Sequence, residues 1–220
     1  MYAGYNKVLN ATTSKGVALV SLDNAYWGPK YAGAKRVIKK LPIGDSFIDV
    51  LETDKAYAAI DALSKQKVIE GFDDHIFRPD EPVTRGQAAA IINRVLKLKP
   101  KVMSQFKDVP KTKRFAADIA AIREANIISG FQDKTFRPDE YLTRNEMAVI
   151  VQRAFKLNPD LAKATNTYSD VNDQHWAYQA SLIMKNIDKT GIFSDVKFYG
   201  THRASRAVFS AAFYNSMNTK

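Results

Sequence analysis

The sequence predicts an all-α protein built from three helix–loop–helix units, and three observations carry that prediction. Residues 47–98 recur as 106–157 at an offset of 59 without a gap, with 23 identities over 52 positions, which is an internal duplication. Within each copy the apolar residues follow a helical period: Tyr57, Ile60 and Leu63, like Ile119 and Ile122, mark a first helix, and Ala88, Ile91, Ile92 and Val95, like Ala148, Val151 and Phe155, mark a second. A hydroxyl residue, Thr84, Thr143 or Ser205, stands just before each second helix, where an N-cap accepts a bond from an otherwise unpaired backbone N–H.

Residues 1–44 carry +6 of the formal charge of +10 and show no likeness to the rest. Tyr26-Trp27-Gly28-Pro29 reads as a turn and Tyr31 to Lys40 as a basic helix ended by Pro42 and Gly44. This basic N-terminal extension is a linker or extra helix with solvated lysines, or else a separate polyanion-binding arm. The units follow at 45–99, 104–158 and 166–216. A single unit cannot bury both of its apolar helix faces, so 45–216 is expected to form one compact domain.

In each unit the two helices flank a loop of about a dozen residues, a length that is usually functional. The first loop holds Gly71, Asp74 and Phe77-Arg78-Pro79-Asp80-Glu81, and the second repeats this as Gly130, Asp133 and residues 136–140. Gln87 and Glu146 complete capping boxes with Thr84 and Thr143. The third unit, from Tyr168-Ser169-Asp170-Val171, has Val208 at that position. Its first helix, opened by Trp176, is expected to be one turn longer, which sets Gly191-Ile192-Phe193 against Asn126-Ile127-Ile128 and preserves the buried face. Its loop then loses three residues, including any counterpart of Asp74 and Asp133.

Arg85, Arg144 and Arg206 follow the capping residues directly. A cation in the first turn opposes the helix dipole, and an anion bound between the guanidinium and the helix N-terminus would relieve the conflict. On that reading, replacing one of them should weaken binding and leave stability unharmed. The alternative is that Arg85 pairs with Asp80 or Glu81 of its own loop. Asp49, Asp108 and Asp170 read as helix caps, and Trp176 as core or groove wall. His75, His175 and His202 are dispersed without metal-ligand spacing, and the chain has no cysteine. It also has no Gly-x-Ser-x-Gly elbow, phosphate-cradling loop or His-Glu-x-x-His helix. Asp73-Asp74 and Asp80-Glu81, the dense acidic spots, recur as turn chemistry would. No catalytic residue, metal ligand or cofactor is assigned.

A unit running Phe-x-Asp-Val, an apolar helix, Gly-x-x-Asp, Phe-x-Pro and Thr-Arg-x-Glu resembles the S-layer homology family over roughly residues 45–216. The family's Ile-Thr-Arg-Ala-Glu stands here as residues 83–87, 142–146 and 204–208, loosest in the third copy. The resemblance implies a pseudo-threefold spindle with a central helical bundle and grooves between units. It implies that the grooves bind an anionic secondary cell-wall polysaccharide carrying a pyruvate ketal. Arg85, Arg144 and Arg206 would recognise the carboxylate, Thr84, Thr143 and Ser205 would fix the helix starts, and Gly71, Asp74, Gly130 and Asp133 would shape the groove floor or bond sugar hydroxyls. A groove relying on the third loop should be weak, while Arg206 can serve one completed by a neighbour's loop.

The place implied is the extracellular face of a bacterium, with the module attached to a further surface or S-layer domain. The opening residues lack the pattern of a signal peptide, so either export was never needed or the segment was removed. No run of apolar residues is long enough for membrane insertion. The runner-up is binding of nucleic acid or another polyanion, suggested by a pI near 9.6. It needs a basic recognition helix, and residues 87–98 offer only Arg94 and Lys97, so nucleic acid is not the expected partner.

Overall fold

Helices form where the apolar period places them, and among the described residues all of them lie beyond residue 44: α1 (Tyr57–Lys65), α2 (Arg85–Leu96), α3 (Ala116–Glu124), α4 (Arg144–Ala154), α5 (Tyr178–Asn186) and α6 (Arg206–Met217). The all-α class is therefore borne out for the repeat region. The computed structural model describes residues 2–4, 7–12, 16–21, 23, 47–72, 75–103, 106–163 and 167–219. The chain divides into two compact units, 1–43 and 44–220.

The first unit departs from expectation. It holds a three-stranded antiparallel sheet, β1 (Tyr2–Gly4), β2 (Lys7–Thr12) and β3 (Gly16–Ser21), with Val8 opposite Val20 and Ala11 opposite Val17. β2 and β3 carry Val8, Val17 and Val20, and β-branched residues favour an extended backbone. The turn at 26–29 and the basic helix at 31–40 lie outside the described residues.

In the second unit α2, α4 and α6 start as their sequences dictate. Thr84 and Thr143 each accept from the backbone N–H three residues on and complete a capping box, whereas Ser205 caps without one. The preceding helices α1, α3 and α5 have no side-chain cap. Asp49, Asp108 and Asp170 therefore do not cap helices. Each carboxylate reaches across its loop to two successive backbone N–H groups, Phe77 and Arg78, Phe136 and Arg137, or Phe198 and Tyr199, at 2.6 to 2.8 Å. The second residue of each pair has positive φ (58°, 59° and 56°), which turns its N–H toward the same carboxylate. The loop-closing phenylalanines Phe77, Phe136 and Phe198 are fully buried. Each meets the ring that opens its unit, Phe47, Phe106 or Tyr168, at 5.0 to 5.4 Å. Burying one such side chain is worth roughly 1.5–3 kcal/mol.

The third unit is not lengthened by a helical turn, because α5 has nine residues, as α1 and α3 have. The extra residues follow it as a non-helical turn gathered on Asp188, whose carboxylate accepts from the amides of Thr190, Gly191 and Phe193 and from the Asn215 side chain. Gly191 (φ 78°) then occupies the left-handed position that Asn126 (φ 56°) holds in the second unit. The alignment of Gly191 with Asn126 is right, and the place of the insertion was wrong. Trp176 is 63% exposed and stacked on His175, so it is neither core nor helical.

Each second helix packs on the first helix of the next unit, α2 on α3 and α4 on α5, and α6 returns to α1. The segments entering these helices are joined by three backbone bonds that form a ring: Val83 N–H to Ala204 O (2.9 Å), Ala204 N–H to Leu142 O (2.8 Å) and Leu142 N–H to Val83 O (3.0 Å). Val83, Leu142 and Ala204 are buried, so each of these amides needs a partner.

Candidate functional site

The motif arginines do not pair with their own loops. Each crosses to the loop of the next unit in the same cyclic order as the helices. Arg85 donates from Nε to Phe136 O (2.8 Å) and from Nη2 to Ser129 O (3.0 Å), and its Nη1 faces Glu146 Oε1 (3.5 Å). Arg206 donates from Nε to Phe77 O (2.8 Å) and from Nη2 to Glu70 O (2.6 Å). Arg144 makes only the Nε bond, to Phe198 O (2.8 Å). The three guanidinium groups lie 4.3 to 5.1 Å from the ring centroids of Phe136, Phe77 and Phe198. Arg85 and Arg206 are 5% and 7% exposed, and Arg144 is half-buried. Burial pulls all three below the ordinary arginine pKa, opposed by Glu146 at Arg85 and by Glu81 at Arg206. The group remains a cation at neutral pH.

These bonds grade the three seams. All three nitrogens of Arg85 are engaged, Nη1 of Arg206 has no partner among the described residues, and both terminal nitrogens of Arg144 are open. The residue three positions into the facing helix matches that grading: Glu146 at Arg85, Gln87 at Arg206 and Val208 at Arg144.

The helix N-termini are another matter. The N–H groups of Arg85 and Gly86 donate to Glu140 O and Pro138 O, those of Arg144 and Asn145 to His202 O and Gly200 O, and those of Arg206 and Ala207 to Glu81 O and Pro79 O. The dipole conflict foreseen for the arginines is met by these carbonyls. An anion at the seam would meet guanidinium groups and not free helix amides.

Gly71 and Gly130 are held to glycine by packing, since a Cβ at either would collide with the ring of Phe47 or Phe106. Asp133 is exposed and bonded within its loop, to the amide and hydroxyl of Thr135 and to Arg137 (3.2 Å). The Thr135 hydroxyl and amide, with Arg137, hold its carboxyl down to about 2. Asp74 lies outside the described residues. Thr84, Thr143 and Ser205 are committed to their caps.

A cavity of about 140 Å³ opens beside Arg206, lined also by Gln87, Arg94, Arg114 and Phe115. A larger one of about 630 Å³, lined by Phe106, Arg123, Gly130 and Lys134, contains no motif arginine. Sequence reading passed over Arg114. The repeat register was the signal that could have found it, because Arg114 stands one residue before Phe115, the N-cap of α3, as Lys55 and Trp176 stand before the N-caps of α1 and α5. Among the described residues no cluster of His, Asp and Glu could hold a metal, and no helix is long and apolar enough to cross a membrane.

Fold and seam define a helical repeat module whose neighbouring units are cross-braced by arginines, two buried and one half-buried. The S-layer homology domain matches residues 46–89 and again 105–148, which fall on the first two units. The chain is 29% identical over 162 residues to Cell surface glycoprotein 1 of Acetivibrio thermocellus, covering 69% of this chain and 7% of that protein. It is 28% identical over 142 residues to the Cellulosome-anchoring protein of the same species, covering 61% and 31%. It is 29% identical over 147 residues to S-layer protein EA1 of Bacillus anthracis, covering 66% and 17%. The chain spans less than a third of each of these relatives.

Proposed function

We propose that residues 44–220 form a three-repeat S-layer homology module that holds a larger protein at a bacterial cell surface without catalysis. The third unit counts as a repeat on this reading, because it keeps the Asp170 clamp, the Tyr168–Phe198 pair and the Arg206 crossing. The grooves between units bind a secondary cell-wall polysaccharide through its carboxylate-bearing groups, with a pyruvate ketal as the expected group. The observation that carries the reading is the repeated crossing of an arginine to its neighbour's loop, which sets a desolvated cation against aromatic rings at each seam. A fixed guanidinium in such surroundings suits a carboxylate, and an aromatic face suits a sugar ring. Relatives named for cell-surface, anchoring and S-layer roles support the same reading.

Co-sedimentation with purified cell-wall polysaccharide, before and after chemical removal of pyruvate, tests it. The polymer should retain the module, and depyruvylation should release it. Equal retention would reject the ketal, and no retention at all would reject wall anchoring.

A further inference from the structure

We propose that in this chain the carboxylate-accepting groove is the one at the first unit's loop, where Arg114, Arg206 and the Gln87 amide supply the donors. We propose further that the residue three positions into each second helix, together with the one before the N-cap of the next unit's first helix, decides which groove is open. The inference rests on the anchoring reading and deepens it.

Three independent contacts lead to this groove. The capping box fixes the Gln87 amide, because Oε1 accepts the Thr84 N–H (2.9 Å) and so leaves the NH2 group with no partner among the described residues. Arg206 spends Nε and Nη2 on carbonyls and keeps Nη1 unspent. Arg114 lies over the Phe115 ring at 4.6 Å and has no acidic partner among the described residues. The acid of the groove, Glu70, is already paired with Arg94 at 3.4 Å. Among the described residues that line the cavity of about 140 Å³, Arg94, Arg114 and Arg206 outnumber the single acid Glu70. This volume is well below the roughly 300 Å³ that encloses a whole small ligand. Its natural occupant is a carboxylate-bearing substituent of a sugar whose ring stays outside.

The other seams lack more than one of these donors: the place of Arg114 is held by Trp176 at Arg85 and, at Arg144, by Lys55, whose Nζ is spent on Gly191 O (2.9 Å). At Arg85 the place of Gln87 is held by Glu146, whose carboxylate already neutralises the guanidinium and would repel an incoming anion. At Arg144 it is held by Val208, which donates nothing, and the facing loop is three residues shorter.

Titration calorimetry with a methyl hexoside bearing a 4,6-O-(1-carboxyethylidene) ketal, and with the same hexoside lacking it, tests the assignment on the full chain. Wild type should show one ketal-dependent site. Gln87→Glu keeps the capping box and places a carboxylate beside Arg206, so affinity should fall roughly tenfold to a hundredfold without loss of thermal stability. Arg114→Gln should weaken binding by a similar factor, and Glu146→Gln combined with Trp176→Arg should open a second site. Unchanged affinity in folded Gln87→Glu, or equal binding of the ketal-free hexoside, overturns the assignment. If wild type still sediments with the wall polysaccharide in that case, only the choice of groove has failed. If it does not sediment, the anchoring reading has failed.

Discussion

The side chain of Asn145 occupies the space where Gly200 would carry a Cβ, and the two residues also share a backbone bond from Asn145 N–H to Gly200 O (2.9 Å). Asn145 Oδ1 is buried there without a hydrogen-bond partner. The first unit has Gly86 in place of Asn145, and Pro79 and Pro138 stand where the third unit has Gly200. Gly200→Ala should therefore destabilise the domain by about 1–3 kcal/mol through overpacking. Asn145→Ala alone should be neutral or stabilising, since it removes a polar atom that is unsatisfied. The double variant should recover most of the loss, and a thermal-melting cycle that gives additive effects would contradict the contact.

Asp108 holds its loop through two backbone amides. Asp108→Ala should cost roughly 1.5–3 kcal/mol, the range for hydrogen bonds to a charged group. For a domain of this size that is a fall of about 2–4 °C per kcal/mol. Amide hydrogen exchange should speed up at Phe136 and Arg137, and protection that stays at the wild-type level would show that the carboxylate is not the clamp.

The arginine bonds predict an order of stability losses unlike the one expected from the helix dipole alone. Arg85→Ala leaves the carbonyls of Phe136 and Ser129 without their donors, whereas Arg144→Ala frees only that of Phe198. Phe136 and Phe198 are fully buried, so orphaning either carbonyl costs about 1–3 kcal/mol, whereas the exposed Ser129 adds less. Chemical denaturation should rank Arg85→Ala as more damaging than Arg144→Ala, with Arg206→Ala near the former. Equal wild-type stability in all three would remove the bracing role.

The carboxyl of Asp133, held down to about 2 by Thr135 and Arg137, gives a pH dependence of known sign. Its folded pKa lies below the unfolded value of about 3.9. Whatever it contributes is fully present above that value and is lost as pH falls toward 2. Carboxyl carbon shifts followed by NMR should show the depressed midpoint, and Thr135→Ala should raise it.

Much of this molecule is written locally. Duplication, helical period and the three capping residues are each visible within a few positions, and the helices begin where Thr84, Thr143 and Ser205 put them. What escaped was long-range. Asp49 looks like a cap because a cap is the nearest use for an acid before a helix, yet its partners are 28 and 29 residues away. The donors at Arg85 and Arg206 looked free for a ligand because their acceptors belong to another unit's loop, 44 to 136 residues off. The insertion in the third unit was misplaced for a similar reason, since the Asp188 turn depends on Asn215 of α6.

The ring through Val83, Leu142 and Ala204 makes this a closed array, which sets it apart from solenoids that grow by adding units at an end. Closure brings residue 83 to residue 204, so native topology has a high contact order and should fold slowly for a helical protein. The closed ring needs no capping unit. A chain cut after the second unit would instead expose the Val83 amide and the Leu142 carbonyl as a strand-like edge. Such an edge invites pairing with a second truncated chain, so the two-unit fragment should associate more readily than the full chain.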